Sequence, residues 1–178
     1  MGYHFIETKT GAMNGNFLGI GADLAVNASV LVDAADVYGI LITNGEFTAF
    51  QSPQWINSSS VESSHVQVNP SNKGNVKFVD SSFWGGASQV AVLNGTGSTT
   101  FLGCQFVEWD MQKKDGRAAI QAHAGSLIVH ASEFSQDKKQ VEIFEGVKKA
   151  AISGNIAAGA VQIIVHGNSS TTAIGLNV

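Results

Sequence analysis

Short runs in which apolar and polar residues alternate with a period of two occur along most of the chain, and one such run recurs with a fixed ending. Two alternating apolar residues lead into a turn of polar or small residues, and a Phe closes the segment. The clearest copies run from Ile40 to Phe47, from Val76 to Phe83, from Thr99 to Phe106 and from Leu127 to Phe134. Weaker copies run from Ala150 to Ala157 and end at Phe17, so successive closing positions lie 30, 36, 23, 28 and 23 residues apart. A second alternating pair precedes each copy: Val30/Val32, Val66/Val68, Val90/Val92, Ile120/Ala122 and Val141/Ile143, with Ile163/Val165 near the end. In a strand, successive side chains point to opposite faces, which places Val76, Phe78 and Phe83 inside and Lys77 and Val79 outside. No helical stripe competes with this pattern.

Two strand signals per period, with the variable length absorbed between them, describe a solenoid whose insertions become loops while the inner ladder stays in register. The expected fold is all-β: a single-stranded right-handed parallel β-helix of about six to seven coils, at ~4.8 Å per coil. Residues 1–178 read as one such β-helix domain, and the pattern also fits a fragment of a longer β-helix protein. A β-sandwich or propeller is the rival architecture, but two-residue Asn-Gly hairpin turns do not join consecutive strands here.

Composition narrows the function classes. The chain is 44% apolar and only 13% charged, far from the signature of disorder. Its net charge is −4, and nine Lys and one Arg leave no basic face to track phosphates, so no nucleic-acid partner is expected. No apolar run reaches the ~18 residues of a membrane span, and no membrane partner is expected. The single cysteine, Cys104, lies between repeat positions and is read as a small buried apolar residue; alone it supports neither a disulfide nor a cysteine-based zinc cluster.

The turn cadence Ile152-Ser153-Gly154-Asn155 and Asp80-Ser81-Ser82-Phe83 resembles the right-handed β-helix of the pectate-lyase and polygalacturonase-like superfamily, from about Asn14 onward. That resemblance implies an extracellular or cell-surface location and a polysaccharide or oligosaccharide partner. It is a resemblance of coil and not of active site. The hydrolases' Asn-Thr-Asp, Asp-Asp and Gly-His-Gly elements do not occur, and Arg117, the only arginine, cannot supply the lyases' arginine patterns. The chain therefore reads as lacking the known catalytic sets, as C-terminal coils of a longer enzyme would.

Candidate binding residues cluster after the repeat Phe. All three tryptophans fall there: Trp55 eight residues after Phe47, Trp84 directly after Phe83, and Trp109 three after Phe106. If the coils stack in register, these indoles form a ladder on which sugar rings lie; the alternative is that each covers a loop as satellite core. Beside them runs the charge-dense segment from Glu108 to Arg117, in which Glu108 and Asp110 are candidate carboxylates, with Asp137 a potential partner. A self-neutralising solvated loop is the competing interpretation. Lys138-Lys139 and Lys148-Lys149 are candidate uronate contacts or simply solvated turns. His123 and His166 occupy equivalent places two coils apart, too far to share a metal, and are expected to hydrogen-bond along a turn ladder; His130 faces outward. Neither a metal nor a cofactor is expected, and no catalytic residue is assigned.

The leading expectation is a polysaccharide-associated β-helix domain that binds glycan through Trp55, Trp84, Trp109, Glu108, Asp110 and Arg117. A structural spike or adhesin-type segment that packs against copies of itself through outer positions such as Val79 and Leu102 is the alternative. A small hydrolase or lyase with its site between Glu108 and Arg117 is a third.

Overall fold

The computed structural model describes residues 2–6, 13–23, 28–33, 37–48, 64–86, 88–111, 116–167 and 169–178. They form three parallel sheets wound as a β-solenoid. The first sheet stacks β1 (Tyr3–Ile6), β4 (Ala28–Asp33), β7 (Ser64–Val68), β10 (Ala91–Leu93), β13 (Ile120–Ala122), β16 (Val141–Ile143) and β19 (Ile163–Val165). The second stacks β2 (Met13–Leu18), β5 (Val37–Thr43), β8 (Asn75–Val79), β11 (Ser98–Leu102), β14 (Gly125–His130), β17 (Val147–Ser153) and β20 (Thr172–Ile174). The third holds six short strands: β3 (Gly21–Asp23), β6 (Glu46–Thr48), β9 (Ser82–Trp84), β12 (Gln105–Val107), β15 (Glu133–Phe134) and β18 (Ile156–Ala157). Sequence patterning predicted two strands per coil. The third carries the repeat Phe but spans only two or three residues, too few to display a period of two. Among the described residues no helix is long and apolar enough to cross a membrane.

Register turns the sequence repeat into ladders of like side chains. Phe47, Phe83, Phe106 and Phe134 stack one per coil, with ring centroids 5.4, 5.5 and 4.6 Å apart and planes within 19° of parallel. A second pair, Phe78 and Phe101, stacks at 5.2 Å and meets the first ladder edge to face. Val76, Phe78 and Phe83 are buried as expected, while Lys77 is exposed and Val79 half-buried. One register expectation fails. Val90/Val92 was expected to alternate inward, but Ala91 and Leu93 occupy the ladder between Val66/Val68 and Ile120/Ala122. The N–H groups of Val90 and Ala91 both donate to the Ala119 carbonyl, at 2.8 and 2.9 Å, so Val90 is buried in the corner and the strand begins one residue later. A one-residue slip exchanges the two faces of a strand.

The turn between the second and third sheets has the same construction in coil after coil. Its first residue is left-handed: φ is 53° at Asn44, 48° at Asp80, 64° at Gly103, 50° at Ala131 and 68° at Gly154. The next residue points inward and serves the neighbouring coil. Ser81 Oγ accepts from Gly45 N–H at 3.1 Å, Ser132 Oγ from Cys104 N–H at 3.1 Å, and Asn155 Oδ1 from Ser132 N–H at 2.9 Å. Cys104 sits in this row, buried, its thiol pushed by burial up to about 12 and hence un-ionised. Ala131 is the one turn residue with a Cβ and no polar group to offset the left-handed conformation. Ala131→Gly is expected to stabilise the protein by about 0.5–1 kcal/mol in urea unfolding, and an unchanged midpoint would contradict the strain assigned to this turn.

Candidate functional site

The five described candidate residues, Trp84, Glu108, Trp109, Asp110 and Arg117, gather at the corner where coils three to five pass from the third sheet to the first. Here residues 108–111 lie against the segment before β10 of the preceding coil, with Asp110 N–H donating to Ser88 O at 2.7 Å and Met111 N–H to Gly86 O at 3.2 Å. Glu108 and Asp110 are both left-handed, at φ 52° and 55°. Asp110 is buried, and its Oδ2 accepts from Gly116 N–H at 3.0 Å, closing the base of the loop. Arg117 reaches back across the coil, its Nη1 donating to Ser88 Oγ at 2.8 Å and Gln89 Oε1 at 3.3 Å.

The exposed tryptophan ladder is not formed between the two described indoles. Trp84 stands outward at the end of β9, 38% exposed. Its register partner on the next coil is Val107, whereas Trp109 turns into the core, fully buried and edge-on to Phe134 at 6.1 Å. The Trp109 carbonyl accepts from Lys138 Nζ at 3.0 Å, and its indole Nε1 finds no acceptor among the described residues. The backbone conformation decides the matter: the large apolar ring is removed from water, Glu108 stays half-buried, and Asp110 is buried with its carboxylate held by Gly116 N–H. Trp55 lies outside the described residues. Glu108 is half-buried, and the potential partner Asp137 accepts from Gln162 Nε2 at 3.2 Å.

Behind Trp84 lies a buried imidazole. His65 Nε2 bonds the Trp84 carbonyl at 3.0 Å and Nδ1 meets Ser29 Oγ at 3.2 Å. Burial lowers its pKa to about 4 against the opposing effect of the Trp84 carbonyl, so the ring is neutral, with Nε2–H donating and Nδ1 accepting. His65 thereby pins the strand end that carries Trp84.

From Arg117 a chain of side-chain hydrogen bonds continues across the outside of the first sheet. Ser88 Oγ donates to Gln89 Oε1, Gln89 Nε2 to Gln121 Oε1 at 2.9 Å, and Gln121 Nε2 to Glu142 Oε2 at 2.8 Å. The other Glu142 oxygen meets His166 Nε2 at 2.9 Å. Burial pushes the Glu142 carboxyl up, but the hydrogen bonds from His166 and Gln121 outweigh it, and the group is held below the usual carboxylate range. Beside this row three rings stack on consecutive coils, His123 on Phe144 at 4.1 Å and Phe144 on His166 at 5.0 Å. The backbone N–H groups of His123 and His166 donate to Leu93 and Ile143 of the preceding coils, both at 2.8 Å, and the two rings are joined in addition by a ladder through Phe144. Burial lowers the His123 pKa, with Glu142 opposing. No family model, curated protein or solved structure matches this chain.

Ser88, Gln89, Gln121, Glu142 and Phe144 escaped the sequence reading. One signal was present: His123, Phe144 and His166 each directly follow the second inward residue of a first-sheet strand, after Ala122, Ile143 and Val165. Among the described residues no three His, Cys, Asp or Glu side chains stand close enough to hold a metal ion. The corner and the row beside it instead offer guanidinium, amide, carboxylate and imidazole groups whose geometry is set by one another.

Proposed function

We propose that this β-solenoid is a glycan-binding domain, and that a polysaccharide lies across the outside of the first sheet from Arg117 to His166. The observation that carries the reading is the continuous hydrogen-bonded row Arg117–Gln89–Gln121–Glu142–His166. Sugar hydroxyls both donate and accept, and side chains already fixed by their neighbours lose little further rotamer entropy on meeting them. The row climbs the coil axis at ~4.8 Å per rung, which suits a polymer better than a single small molecule. Trp84, four residues before Ser88, adds a flat apolar face beside the row.

The test is affinity electrophoresis through neutral and acidic polysaccharides, preceded by a glycan-array screen. Wild type is expected to be retarded by at least one polymer. Gln121→Ala, with an unchanged circular dichroism spectrum, should bind about tenfold more weakly, because Gln89 and Glu142 each lose a partner. Wild-type mobility unaffected by every polymer would remove the reading.

A structural reading is favoured by a different observation. Leu18, Leu102 and Ile128 stand outward on the second sheet, 76%, 38% and 40% exposed. A spike-type solenoid would cover them with another copy of the chain, and its solution mass would be a multiple of the 18.6 kDa chain.

A further inference from the structure

We propose that the outer face of the second sheet, at its last three coils, binds a small organic carboxylate with an apolar body. The site shares no residue with the glycan row and does not depend on it.

A groove of about 570 Å³ lies where β14, β17 and β20 pass beneath the 3-10 turn Ser169–Thr171. That volume is in the range of small-molecule sites, which combine an apolar lining with a few convergent polar groups. Two parallel rows of different chemistry make up the groove. Ile128, Ala151 and Ala173 are register partners on successive coils and form an outward apolar floor; Ile128 is 40% exposed. Two residues earlier along the same strands, Ser126 pairs with Lys149, and Thr171 follows on the next coil. The rows are therefore ~6–7 Å apart, and each extends ~10 Å over three coils.

Charge selects the occupant. Lys149 is exposed and makes no hydrogen bond or ion pair with any described residue, and no Asp or Glu lines the groove. A lysine flanked along its row by Ser126 and Thr171, with the apolar shelf beside it, matches an anion attached to a flat hydrocarbon. The two alanines keep the shelf flat: a larger residue at either position would fill the space a ring would occupy. A neutral ligand would leave the Lys149 charge uncompensated at the mouth of the groove, whereas a carboxylate forms a charge-assisted bond with it.

The experiment is a methyl-detected NMR titration of protein labelled at Ile and Ala, with 2-naphthoate and its uncharged counterpart 2-naphthamide as probes. Naphthoate is expected to shift the Ile128, Ala151 and Ala173 methyls saturably and to bind about tenfold more tightly than naphthamide. Lys149→Met, which keeps the apolar stem, should erase that preference, and Ala151→Leu should weaken both probes. Absence of saturable shifts, shifts at other methyls, equal binding of acid and amide, or an unaffected Lys149→Met variant would each overturn the site. A failure here leaves the Arg117–His166 row untouched, because the polysaccharide assay reads different residues.

Discussion

Replacing Phe106 with alanine is expected to lower the free energy of unfolding by about 3–5 kcal/mol. The ring is fully buried and stacks on Phe83 at 5.5 Å and on Phe134 at 4.6 Å, and Phe101 meets it edge-on. Truncation removes a large buried side chain and opens a cavity in the middle of a ladder that neighbouring coils cannot close, since their separation is fixed by the sheets on either side. The stacking geometry adds to the loss beyond area alone. Urea unfolding monitored by circular dichroism gives the value directly. A loss below about 1 kcal/mol would mean that the phenylalanine ladder does not form as described.

Acid should destabilise the protein through His65. Its folded pKa is about 4 and its ordinary value 6.5, so between these two pH values the unfolded chain takes up a proton that the folded chain refuses. Stability from this group is complete above pH 6.5 and is lost as the pH falls toward 4, about 3 kcal/mol over the window. Protonation converts Nδ1 from acceptor to donor and places a charge in the core between Ser29 and the Trp84 carbonyl. In His65→Gln, which binds no proton, the unfolding free energy should lack this component, so the gap between wild type and variant narrows with acidification. A gap that stays constant from pH 7 to pH 4 would contradict the buried neutral imidazole.

The inward ladder was legible because period-two alternation dictates which residues face the core, and Val76, Phe78 and Phe83 behave accordingly. The turns were legible as polar punctuation, though not their uniform left-handed step, which Ala131 adopts with no residue-type signal at all. Two features needed the folded coil. Trp109 follows the repeat Phe as Trp84 does, which allows either an exposed ladder or satellite core; left-handed residues on both sides of it turn the indole into the core. The row from Arg117 to His166 joins residues 21 to 32 positions apart wherever it crosses from one coil to the next. Such a row becomes visible only once insertions of different length have been absorbed and the rungs are aligned. Sequence spacing alone gave the equivalence of His123 and His166, and it missed the Phe144 ring stacked between them.

Hydrogen–deuterium exchange with and without a polysaccharide retained in the electrophoretic assay tests the glycan site most directly. Slower exchange is expected, confined to peptides covering 88–91, 117–124, 140–146 and 163–167, the segments that carry Gln89, Arg117, Gln121, His123, Glu142, Phe144 and His166. Protection elsewhere on the solenoid, with these four segments unchanged, would contradict the glycan site.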